Sequence, residues 1–156
     1  MINYKTTYIL AIFALLILIS GGCKEVFDLD QRDRTFQGDP LVAFFPNSET
    51  VADSSGVTNG STFEVQLIGE QLEEALNIPF TIVSGETTAV EGTHFEFDTS
   101  SPVVLPANTS IAFLSINILD SDIESPRVLT LELQDPGDNI TASENVKRTV
   151  LTIIPN

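Results

Sequence analysis

The sequence predicts an all-β fold, an antiparallel β-sandwich of about seven strands, and three observations lead there. Short runs rich in β-branched and aromatic residues alternate apolar with polar, as residues of half-buried strands do. Clusters of Gly, Pro, Asn, Asp and Ser separate those runs at short intervals. Helical periodicity is confined to "GEQLEEALN" at 69–77, where Leu72 and Leu76 lie four apart, and this stretch is short enough to be a single turn within a loop.

The first element is of another kind. Tyr8 to Ile19 is an unbroken 12-residue apolar run preceded by Lys5. An α-helix needs roughly 20 apolar residues to cross a bilayer core, so the run reads as a secretory leader, cut after the small residues Ser20, Gly21 and Gly22. Cys23, the one cysteine, comes next. Ile19–Cys23 resembles the lipobox of bacterial lipoproteins, with Ser20 standing where that box normally carries Leu or a similar aliphatic residue. The resemblance implies that the Cys23 thiol is diacylated and becomes the first mature residue, anchored in the bilayer. Acylation also removes a lone thiol that would be a liability in an oxidising compartment. The expected organisation is therefore a lipoprotein signal peptide at 1–22, an acylated cysteine and polar tether at 23–40 ("CKEVFDLDQRDRTFQGDP"), and a folded domain at 41–156.

Within that domain the first strand contains Phe44 and Phe45. Adjacent strand residues point to opposite faces, so the two cannot share one core, and one of them is left exposed, covered by a neighbouring segment or in contact with a partner. Alternation then marks Phe63, Val65 and Leu67, and again Ile78, Phe80 and Ile82. Ile111 and Phe113 followed by Ile116 and Ile118 change phase near Leu114, which predicts a bulge. Leu129, Leu131 and Leu133 alternate with Thr130 and Glu132, and Val150–Ile154 closes the set as a nearly continuous apolar strand.

Composition narrows the function. The formal net charge is −15, and removal of the leader with its single Lys5 makes it −16 for residues 23–156. Such a surface repels nucleic acid and anionic lipid head groups. Tyr4 and Tyr8 lie in the leader and there is no Trp, so phenylalanine is the only six-membered aromatic in the mature chain. Sugar and protein hot spots lean on Trp and Tyr. Any isolated sugar affinity is expected to be weak, with Phe44 or Phe45 as stacking surfaces, and a protein partner fits the composition better.

The stretch "TTAVEGTHFEFDTSSPVVLPANTSIAFLSINILDSDIESPRVLTLELQDP", within a match spanning roughly Thr62 to Ile154, resembles the Calx-beta domain. A related group of short bacterial lipoproteins of unknown function carries a similar Gly-Thr-His-Phe variant. The resemblance implies an immunoglobulin-like sandwich. In calcium-binding members acidic residues converge at one end of the sandwich, and calcium needs 6 to 8 oxygen ligands. Here the family's Asp of the Gly-x-Asp-Tyr segment falls on His94. The acidic corner keeps Asp120 and Asp122 around Ser121, followed by Glu124. The expectation is no tight calcium site and no cofactor, with Asp120, Asp122 and Glu124 as the metal candidates.

Catalysis finds little support. His94 is the single histidine, expected with Glu96 to face solvent, away from Phe95 and Phe97. Glu70, Glu73 and Glu74 read as a solvated loop. The sequence thus points to a non-enzymatic, lipid-anchored module of a Gram-negative outer membrane, on either its periplasmic or its surface side. It would serve as a binding or accessory part for an envelope protein or a glycan-uptake or adhesion assembly. The alternative is a calcium-responsive module built on the Asp120, Asp122, Glu124 corner.

Overall fold

The computed structural model describes residues 38–53, 59–119 and 121–156. Cys23, the leader and all but the last residues of the tether lie outside them. The described residues form eleven strands: β1 (Leu41–Phe45), β2 (Ser48–Ala52), β3 (Asn59–Ile68), β4 (Leu76–Ile78), β5 (Phe80–Ile82), β6 (Phe95–Phe97), β7 (Val103–Leu105), β8 (Ile111–Ile118), β9 (Arg127–Leu133), β10 (Thr141–Ala142) and β11 (Arg148–Ile154). A five-stranded sheet in the order β10-β1-β3-β8-β6 packs against a four-stranded sheet in the order β2-β11-β9-β5, and β4 pairs with β7 in a small side sheet. Pairing is antiparallel except at two sites, where β1 runs parallel to β10 and β2 parallel to β11.

Two prolines account for two of the strands beyond the roughly seven expected. Proline has no N–H to give to a ladder. Pro46 separates β1 from β2, which lie in different sheets. Pro79 likewise divides the Ile78, Phe80, Ile82 run, sending β4 to the side sheet and β5 to the four-stranded sheet. The 69–77 stretch forms no helix. It runs as a loop into β4, and the Leu72 carbonyl accepts the Asn108 N–H at 2.7 Å.

The core lies between the two main sheets. Phe63, Val65 and Leu67 of β3 and Leu114, Ile116 and Ile118 of β8 face Leu129, Leu131 and Leu133 of β9 and Leu151 and Ile153 of β11. Each such side chain contributes roughly 1.5–3 kcal/mol by leaving water. Phenylalanines pack edge to face, with ring centroids 6.3 Å apart for Phe44 and Phe63, and 5.2 Å apart for Phe95 and Phe97.

The expected bulge near Leu114 is absent. β3 and β8 pair without interruption from Asn59 opposite Ile118 to Gln66 opposite Ile111. Strict alternation therefore holds along β8, with Ala112 and Leu114 inward and Ile111 and Phe113 outward. The large side chains suggested an inward phase for Ile111 and Phe113, whereas the small Ala112 occupies the core position.

Candidate functional site

The outer face of the five-stranded sheet follows from that phase. Phe44 is buried and Phe45 is 59% exposed, which separates the two adjacent phenylalanines. Phe45 stands directly opposite Glu64 on β3, and Glu64 stands opposite Phe113 on β8, itself 56% exposed. Ala43, Gln66 and Ile111 form the next row on the same face. Glu64 is half-buried, and the Gln66 side-chain amide donates to its Oε2 at 2.7 Å. Two exposed phenyl rings thus flank one carboxylate across three strands. Phe113 was hidden from sequence reasoning by the mistaken bulge; the regular alternation of "IAFLSINI" is the signal that finds it.

The outer face of the four-stranded sheet carries ion pairs instead. Arg148 Nε donates to Glu132 Oε2 at 2.6 Å and its Nη1 to Glu86 Oε1 at 3.0 Å, while Lys147 Nζ meets Glu144 at 3.1 Å. The hydrogen bond to Glu132 holds the Arg148 guanidinium above its ordinary range. The hydrogen bond to Glu144 does the same for Lys147. These groups satisfy one another, so this face offers a newcomer little.

At the acidic corner, Asp120 lies outside the described residues. Asp122 and Glu124 are exposed on either side of the buried Ile123. The corner is tied down by Asp53, a buried carboxylate that sequence reasoning missed. Its Oδ1 accepts the Ser121 N–H at 3.3 Å and its Oδ2 the Ile123 N–H at 3.1 Å. Among the described residues no three metal-ligating side chains converge.

His94 departs from expectation. It is buried at 8% exposure and precedes β6 in a turn, so strand alternation does not govern it. Its Nδ1 accepts the Val90 N–H at 2.8 Å, and its backbone carbonyl accepts the Leu119 N–H at 3.0 Å. The imidazole thus serves to close its own turn. Glu96 alone remains exposed of the pair expected to face solvent. A cleft of about 390 Å³ opens elsewhere, with Leu72, Leu76 and Ile140 along it and Glu73, Glu74 and Asp138 as its acids.

Solved structures share this fold. The chain is similar to a Calx CBD1 domain in its apo form, with 16% identity and a TM-score of 0.61 over 76% of this chain and 99% of that one. It is also similar to CBD12 from CALX1.2, with 17% identity and a TM-score of 0.59 over 74% of this chain. A two-domain protein of unknown function from Bacteroides fragilis follows, with 10% identity and a TM-score of 0.57 over 76% of this chain. The chain spans 44% and 46% of the length of these last two. No family model matches the chain, and no curated protein matches it. The fold is that of Calx-beta domains, an immunoglobulin-like β-sandwich.

Proposed function

We propose that this protein is a non-catalytic binding module, held to a Gram-negative outer membrane by acylated Cys23 and docking a partner protein on the outer face of its five-stranded sheet. The single observation that carries the reading is the contrast between the two outer faces. Phe45, Ile111 and Phe113 stand exposed on one, while the other presents the ion-paired Glu86, Glu132 and Arg148 and, at its end, Ile154 alone among the large exposed apolar residues described. Exposed apolar patches of this kind mark interaction sites on soluble domains. The lipobox-like Ile19–Cys23 supports the anchor, and the engagement of His94 by its own turn supports a binding task over a catalytic one.

The test is site-specific photo-crosslinking in intact cells. A photoreactive residue at Phe113 is expected to give one discrete adduct, and the same residue at the exposed Thr81, on the four-stranded sheet, none. Equal labelling from both positions, or none from Phe113, overturns the docking role.

A further inference from the structure

Resting on that docking role, we infer that the sheet face takes a guanidinium, an arginine side chain of the partner protein lodged on Glu64 between Phe45 and Phe113. The carboxylate is half-buried at the centre of the row, with an exposed phenylalanine directly across from it on each side. Such flanking strips water from a charge without supplying a counter-charge. Among the described residues the ion pairs join only Lys147 and Arg148 to Glu86, Glu132 and Glu144, so none reaches Glu64. Gln66 satisfies Oε2 alone.

Spacing selects the ligand group. β1 and β8 are two strand intervals apart, roughly 10 Å. A cation seated over Glu64 is then about 5 Å from each phenyl column, inside the roughly 6 Å range of a cation–π contact. A guanidinium suits the slot better than an ammonium, because it is planar, stacks on rings and is weakly hydrated. Ile111 in the adjoining row, also exposed, extends the apolar floor for residues next to that arginine.

Charge complementarity identifies the occupant as a protein with a basic side chain in apolar surroundings. A second copy would bring another chain of net charge −15 and a second Glu64 to the same place. A neutral glycan would use the rings and Gln66 without needing the carboxylate to be charged.

The experiment titrates the full chain, isotope-labelled and held in detergent micelles, with acetyl-Leu-Arg-Leu-amide and with the same peptide carrying norleucine for arginine. The arginine peptide is expected to shift the backbone amide signals of Phe45, Glu64 and Phe113 and to bind about fivefold more tightly than the norleucine peptide. Glu64→Gln should erase that preference, and so should raising salt toward about 1 M. Equal binding of the two peptides, or an arginine preference that survives Glu64→Gln, overturns the inference. So does cellohexaose shifting the same signals equally in both proteins, which would mark a glycan face. A Phe113 photo-adduct in cells that persists undiminished in Glu64→Gln also defeats the arginine assignment while leaving the docking role intact. Loss of that adduct already in the unaltered chain defeats the docking role itself.

Discussion

Asp53 holds Ile123 from seventy residues away, its Oδ2 accepting the Ile123 N–H at 3.1 Å while its Oδ1 takes the Ser121 N–H. The carboxylate is buried, and its own N–H donates to the Ile154 carbonyl at 2.8 Å, so one residue joins the end of β2, the corner after β8 and the end of β11. Asp53→Asn keeps one acceptor oxygen but turns an amide NH₂ toward a backbone donor. Leaving a buried donor unpaired costs about 1–3 kcal/mol. Urea denaturation should show a loss of that size, and an unchanged midpoint would mean that the corner is held by other contacts.

Phe44 and Phe113 supply the sharpest contrast in stability. Phe44 is buried against Phe63, so Phe44→Ala should cost about 3–5 kcal/mol. Phe113→Ser on the exposed face should stay within about 0.5 kcal/mol and yet remove partner binding. Denaturation midpoints of the two variants check the first half, and the cellular photo-crosslink, with the photoreactive residue moved to the exposed Ile111, checks the second. A Phe113→Ser variant as destabilised as Phe44→Ala would make the ring a structural one.

These residues also show what a linear reading can reach. That Phe44 and Phe45 part company follows from strand geometry alone, and so do the inward Phe63, Val65 and Leu67. Which phenylalanine goes inside is decided by pairing, because the register of β1 on β3 sets Phe44 opposite the buried Val65. The phase of β8 was misjudged for a physical reason: size is a poor guide to burial when the outer face of a sheet is itself apolar. Asp53 was invisible because its partners lie 68 and 70 residues along the chain, and His94 because a turn, not a strand, sets its direction. The alternation of Ile78, Phe80 and Ile82 runs straight across Pro79, so neither that break nor the change of sheet that accompanies it was legible.

The proposed anchor rests on Cys23. Because the preceding apolar run is too short to span a bilayer, Cys23→Ala should release the protein from the membrane fraction and abolish fatty-acid labelling. Membrane fractionation with a labelled fatty acid measures both. A variant that stays bound and labelled removes the lipoprotein reading while leaving the sheet face untouched.

The ion-paired face makes a prediction about pH. Lys147 is the only lysine beyond Lys24, and its hydrogen bond to Glu144 raises its pKa above the ordinary 10.5. A group that holds its proton more tightly when folded stabilises the fold fully below its unfolded pKa and loses that contribution as pH rises through the folded value. The urea midpoint should therefore be insensitive to this pair near neutrality and fall in the alkaline range above 10.5. In Lys147→Met that alkaline fall should shrink. An identical alkaline profile in the variant would show that the pair contributes nothing.

The calcium question turns on how few oxygens remain free among the described residues. Calcium takes 6 to 8 oxygen ligands, and affinity falls as charged ligands are lost. At the corner, Asp122 and Glu124 point into solvent on either side of the buried Ile123. The nearby buried carboxylate of Asp53 already accepts two backbone N–H groups. His94, where the family pattern places an Asp, accepts the Val90 N–H on its Nδ1. A ligand that binds only the folded state stabilises it by RT ln(1 + [L]/Kd), about 4 kcal/mol at a thousandfold excess over Kd. For a domain of this size that amounts to a rise of roughly 10 °C or more in Tm. Thermal melts in chelator and in millimolar calcium should instead nearly coincide, with any small shift reproduced by magnesium as charge screening. A calcium-specific rise of many degrees, lost in Asp122→Asn, would establish the acidic corner as a metal site and make the module calcium-responsive.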